Sequence, residues 1–155
     1  MKTGKISENV LKRSVLKRCK SGREEVAQGP GIGRDCAIVR LEGQKFCALH
    51  TQTFTAERME KVRFQIYGGV NNLCCSGAEA SAVMLSILLP EQAEEEMLRN
   101  IMDSADAACI ECGIQLAGGH TTVSASVQVP VVTVTMMGYA DRQHLTGDLR
   151  PNLDL

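Results

Sequence analysis

Gly118, Gly119, His120 and Thr121 stand in the order that points most directly to chemistry. Residues 113–140 read GIQLAGGHTTVSASVQVPVVTVTMMGYA: a short apolar run, the glycine pair, His120 with two threonines, then a β-branched run ending at Gly138. Glycines that follow a strand bring bare backbone N–H groups close to whatever sits above the turn, which suits a phosphate or a metal-bound phosphate. The same residues also read as an ordinary tight turn. His120 then reads as a structural histidine, since no Cys or Asp pairs with it nearby in sequence. Two earlier segments carry further polar candidates: GPGIGRDCAIV at 29–39, with Asp35, and VNNLCCSGAEASAVMLSILLP at 70–90, with Asn71 and Asn72. Asp35 alternatively turns the loop into a strand. The asparagines alternatively hold the start of a helix.

The seven cysteines fall at 19, 36, 47, 74, 75, 109 and 112. A basic amino terminus with no apolar run behind it predicts no signal peptide. The longest largely apolar run, 82–89, is too short to span a bilayer. A cytoplasmic protein with reduced thiols is therefore expected, with no membrane role. Cys109 and Cys112 form one C-x-x-C pair without a second, which argues weakly for zinc. They fall on a predicted helix, where i and i+3 share a face, so small buried side chains are expected and a redox pair is the minor alternative. Cys74 and Cys75 are expected to pack within a helix.

Charge excludes more than it suggests. The formal net charge is −1, with eight Lys or Arg against three Glu over residues 1–25 and seven acids against one Arg over 91–111. A basic and an acidic solvated helix account for this without a nucleic-acid partner. With three Phe, two Tyr and no Trp, the chain also lacks stacking platforms for single strands.

The elements that must position these residues follow from periodicity. Residues 7–19 read as a helix with Val10, Leu11, Val15 and Leu16 on one face. Residues 28–33 are a glycine-proline loop. Strands are predicted over 35–41 and 45–51, joined as a hairpin at Glu42-Gly43. A helix over 56–76, interrupted near Gly68-Gly69, leads to a strand over 82–89. Pro90 is placed at the first position of a strong helix whose stripe is Met97, Leu98, Ile101, Met102, Ala105, Ala108, Cys109 and Cys112, stopped by Gly113. Residues 115–117 and 127–139 are strands. The order α, β, β, α, β, α, β, β is an α+β domain, with helices covering one face of a mixed sheet. Val129, Val131, Val132, Val134 and Met136 make the last strand apolar on both sides. That predicts a second protomer over the uncovered face, hence a homodimer.

The three blocks together resemble the amino-terminal domain of the aminoimidazole ribonucleotide (AIR) synthetase superfamily, over roughly residues 4–141. The likeness is nearest to the branch of the hydrogenase-maturation carbamoyl dehydratase. That branch carries GPGIGxDAAV-like, N-D-x-x-x-x-G-A and GGDT or GHT-like segments in this order. The resemblance implies the fold: an AIR synthetase-like amino-terminal domain over 1–141 that dimerises through its sheet, and a polar carboxy-terminal tail over 142–155. Full members are about twice as long and add a carboxy-terminal α/β domain, to which nothing here corresponds.

It also implies a site. In the superfamily, acids of this domain hold magnesium against the phosphates of ATP, because hard cations take oxygen ligands. Asp35 keeps one such acid and is the implied metal ligand. Gln52, Asn72 and His120 stand where the other three acids would be. The implied nucleotide-binding set is Asp35, Asn72, Gly118, Gly119, His120 and Thr121, all expected to line one cleft, with Lys5 of the GKI segment near phosphate. With three negative charges lost, binding of ATP and magnesium is expected to be weak. The leading expectation is a stand-alone, homodimeric nucleotide-site-like module with no catalytic residue of its own. It would act with a separate carboxy-terminal-domain protein or maturation partner, or in regulation. The alternatives are an ATP-dependent phosphotransferase or dehydratase completed by the dimer, and a structural dimer without nucleotide.

Overall fold

Period-two burial along the strands sets the architecture. The computed structural model describes residues 4–141 and 144–146. Its strands are β1 (Val26–Gln28), β2 (Ala37–Arg40), β3 (Lys45–Thr55), β4 (Glu79–Leu89), β5 (Gln115–Val123) and β6 (Val131–Asp141). They form one six-stranded sheet in the order β1-β2-β3-β6-β4-β5. All pairs are antiparallel except β4 with β5. That parallel pair is joined by the crossover helix that parallel strands need. The helices are α1 (Glu8–Val10), α2 (Met59–Cys75) and α3 (Glu95–Cys112). Alternate residues of three strands face the helices and are buried: Phe46, Ala48 and Phe54 of β3, Val83, Leu85 and Ile87 of β4, and Val132, Val134 and Met136 of β6. Val62, Ile66 and Leu73 of α2, and Ile101, Ala105, Ala108 and Cys109 of α3, close that core. Ile101 is fully buried. Ile101→Ala is expected to cost about 2–5 kcal/mol in urea denaturation, the transfer loss plus a cavity.

The α+β class, the one-sided helix layer and the β2–β3 hairpin match the expectation. Gly43 turns that hairpin at φ 69°. Gly113 ends α3 at φ 67°. Five details differ. The short strand β1 is additional, paired to β2. Helix α2 runs unbroken through Gly68 and Gly69. Gly69 is there for close approach, since a Cβ would sit 2.1 Å from the Met136 sulfur. Pro90 is buried five residues before α3. It closes a turn that accepts a bond from Ala93 N, so Glu94 and not Ser, Thr or Pro stands at the helix entrance. As expected, the acids Glu91, Glu94, Glu95, Glu96, Asp103 and Asp106 are all exposed. Cys74 and Cys75 lie within α2 but are exposed, not packed.

The fifth difference concerns the last strand. It is not equally apolar on its two sides: Val132, Val134 and Met136 face the helices, and the open face of β6 carries Val131, Thr133, Thr135 and Met137. Thr53 pairs its hydroxyl with Thr133 at 2.8 Å, and Thr51 with Thr135 at 3.2 Å. The face is therefore a threonine stripe flanked by Leu49 and Met84, both more than a third exposed. The helical turns over 8–18 bury no residue. Of their predicted stripe, Val10, Leu11 and Leu16 are half-buried and Val15 is exposed. Most of the tail, 142–143 and 147–155, lies outside the described residues. Leu145 packs against the core and Thr146 N bonds to Ser76 O at 3.3 Å.

Candidate functional site

A polar residue in the buried phase of a strand needs a partner. His50 is that residue in β3, and it organises the site. It is buried between Ala48 and Gln52 in the register that faces α2. Its Nδ1 lies 2.8 Å from Asp35 O. A carbonyl only accepts, so Nδ1 carries the proton and Nε2 is the acceptor. Nε2 then takes a hydrogen bond from Asn72 Nδ2 at 3.3 Å. One imidazole thus joins the loop before β2 to the last turn of α2.

Between those two segments lies a pocket of about 280 Å³, lined among others by Arg34, Asp35, Cys36, Asn72, Cys75, Ser76 and Thr146. Asn72 lines it with its amide nitrogen engaged by His50. Asp35 is exposed and brings a carboxylate. Arg34 brings a guanidinium, which also reaches Gly29 O at 3.5 Å. Cys36 is buried, and its thiol donates to Asn72 O at 3.4 Å. Burial first, then the charges of Asp35 and Cys75, push the Cys36 thiol above its ordinary value, against a lowering hydrogen bond from Ser76. One carboxylate and one amide oxygen fit a magnesium ion held mainly by phosphate and water, not a resident cation. Among the described residues no group of three or more His, Cys, Asp and Glu is placed to hold a metal.

The remaining candidates lie elsewhere. Gly118, Gly119, His120 and Thr121 are inside β5, paired with Met84, Leu85, Ser86 and Ile87 of β4, and not in a turn above a strand end. Strand β5 is four places from β2 in the sheet, about 19 Å at the usual strand spacing. Both glycines have positive φ, and only Gly119 also meets close backbone. Gly119 has φ 153°, and a Cβ there would sit 1.8 Å from Leu85 O, beside a register shift in the β4–β5 ladder. His120 is exposed at the end of a register row that runs Thr53, Thr133, Ser86, His120 across the sheet. The structure therefore brings Asp35 and Asn72 together and sets the other four apart; within one chain the expected single cleft is not formed. Asn72 also sits in the last turn of α2, not at its start. Gln52 does not line the pocket; its amide donates to Gln65 O of α2 at 2.6 Å. His50, Arg34 and Ser76 were not legible as site residues in the motifs. His50 alone had a signal, as the imidazole in the inward phase of Phe46, Ala48, His50, Gln52, Phe54.

The C-x-x-C pair reads as structural. Cys109 is 1% exposed and Cys112 half-buried. Burial, with smaller contributions from Asp106 and Cys112, pushes the Cys109 thiol up to about 11. In the unfolded chain it ionises near its ordinary value of 9.0, so stability from keeping it neutral is full below that pH. That stability falls as pH rises from there through about 11. Alkylation by iodoacetamide at about pH 8, below the ordinary thiol range, should spare Cys109 while modifying exposed Cys74, as peptide mapping reads out.

This mixed sheet, layered by α2 and α3 on one face, defines an AIR synthetase-like amino-terminal domain. The chain belongs to the family described as AIR synthase related protein, N-terminal domain, which matches residues 33–140. It is 31% identical over 148 residues to a putative hydrogenase expression/formation protein of Methanocaldococcus jannaschii, covering 90% of this chain and 43% of that one. The chain thus spans under half the length of that relative. Among solved structures it resembles a chain of the HypE–HypF complex, with TM-score 0.64 and 21% identity over 84% of this chain and 42% of the other. It also resembles AaThiL complexed with AMPPCP and TMP, with TM-score 0.63 and 20% identity over 74% of this chain and 38% of that one. No helix among the described residues is long and apolar enough to cross a membrane.

Proposed function

We propose that this chain is a nucleotide-site-like module of its family, homodimeric through the open sheet face, that works with a separate partner protein or in regulation and not as an autonomous catalyst. The observation that carries this reading is the pocket between the loop before β2 and the end of α2. It presents Arg34 for phosphate and Asp35 with Asn72 for a cation, on a frame pinned by buried His50. AaThiL, which shares the fold, is complexed with AMPPCP, an ATP analogue. A chain of the HypE–HypF complex shares it too, which supports a partnered role. In this reading ATP is held weakly, with magnesium contributing little, because one carboxylate is left to hold the cation. Gly118, Gly119, His120 and Thr121 take part when a second copy supplies them, since in one chain they lie at the opposite sheet edge.

Calorimetric titration with ATP, with and without magnesium, tests this. The expected result is binding well above micromolar Kd that changes less than about tenfold with magnesium, roughly 1.4 kcal/mol. Micromolar magnesium-dependent binding would favour an active ATP-dependent enzyme completed by the dimer. No binding at millimolar ATP would leave a structural dimer.

A further inference from the structure

Two thiols at the pocket have no part in that reading. Cys36 leads into β2, and its sulfur is held at the last turn of α2 by Asn72 O, with Ser76 beside it. Cys75 falls between those two contacts along the same turn and lines the same pocket. The two cysteines are near enough for charge on one to oppose charge on the other. Cys75 is exposed and Cys36 buried. Adjacent residues of a helix point about 100° apart. Consistently, Cys74 has a different neighbour, Cys112 at the end of α3. An accessible thiol beside a sheltered one is the arrangement of an attacking and a resolving cysteine.

We propose that Cys75 and Cys36 are a reversible dithiol–disulfide pair that shuts the pocket when a low-molecular-weight disulfide, RSSR, oxidises it. The Cys75 thiolate attacks one sulfur of RSSR. The Cys75–SR bond forms, the S–S bond of RSSR breaks, and RS⁻ takes up the proton Cys75 gave to water. Cys36 then loses its proton, and its sulfur attacks that of Cys75. The Cys36–Cys75 bond forms, the Cys75–SR bond breaks, and the second RS⁻ is protonated. Two protein thiols are oxidised and RSSR is reduced to two RSH. The new bond ties the start of β2 to the end of α2 across the mouth lined by Asp35 and Asn72. The inference rests on the pocket's geometry, not on nucleotide being its ligand.

The test incubates the full chain with oxidised glutathione, blocks remaining thiols by alkylation, and maps peptides by mass spectrometry. The expected result is one Cys36–Cys75 cross-link, loss of two of the seven free thiols, and reversal by dithiothreitol. Cys75→Ser should abolish the cross-link, and Cys36→Ser should leave Cys75 as a lasting glutathione adduct. Cys75 is exposed, so Cys75→Ser carries the test if the buried Cys36 variant does not fold. A chain that keeps all its thiols, stops at the Cys75 adduct, or cross-links Cys74 to Cys112 instead overturns the proposal.

Discussion

Val132→Asp is expected to unfold the protomer, whereas Met84→Asp leaves it folded and changes its oligomeric state. Val132 is 0% exposed in the core against the helix layer, where a carboxylate would lie among apolar side chains. Losing an apolar side chain and burying an unpaired polar group together cost on the order of 4 kcal/mol or more. Urea denaturation reads this directly. Met84 is 51% exposed on the open face, in register with Thr135 of β6 and Gly118 of β5. A charge there costs the isolated chain little, but it would be desolvated in a face-to-face dimer. Light scattering should therefore give a dimer for the wild type and a monomer for Met84→Asp. A wild-type monomer at micromolar concentration removes the dimer from the proposed function, and a stable, dimeric Val132→Asp would contradict the assignment of faces.

Restoring acids in the pocket should restore magnesium dependence. Asn72→Asp places a second carboxylate with Asp35, and magnesium-dependent ATP affinity is expected to rise about tenfold, about 1.4 kcal/mol. His120→Asp alone should give a smaller gain, since β5 is at the far sheet edge. The two new charges should not repel one another within a chain. Asn72→Asp has a structural cost as well. It replaces the amide donor to His50 Nε2 by an acceptor, so two acceptors face one another where a hydrogen bond stood. The variant should consequently melt below wild type in the absence of ligand, because the buried imidazole loses its donor. An unchanged melting temperature would place the new carboxylate away from the imidazole. Unchanged magnesium dependence would remove the cation role from this pocket.

Much of the fold was legible because local signals agreed. The hairpin at Glu42-Gly43, the stripe of α3 and its stop at Gly113 each rest on residues within a turn or two of one another. Motif order was legible too, and the family match over residues 33–140 agrees with it. What failed did so where two signals compete locally. Gly69 reads as a helix breaker, but tertiary packing uses its missing side chain to seat α2 on Met136. Gly118-Gly119 reads as a turn, but Gly119 lets β5 lie against the β4 backbone at Leu85.

By itself the sequence determined most of the elements, the stripe that α3 had to bury, and the residue types available at 35, 52, 72 and 120. Those are properties of periodicity and residue type, which local chain geometry converts directly into structure. Only the tertiary structure decided which candidates meet. The strand order β1-β2-β3-β6-β4-β5 puts Asp35 and Asn72 on either side of His50 and carries Gly118–Thr121 to the opposite edge. Strand order depends on long-range pairing and on which faces pack, and no spacing along the chain encodes it. The same long-range packing set Val132 against the helices and Cys36 beside the turn that carries Cys75.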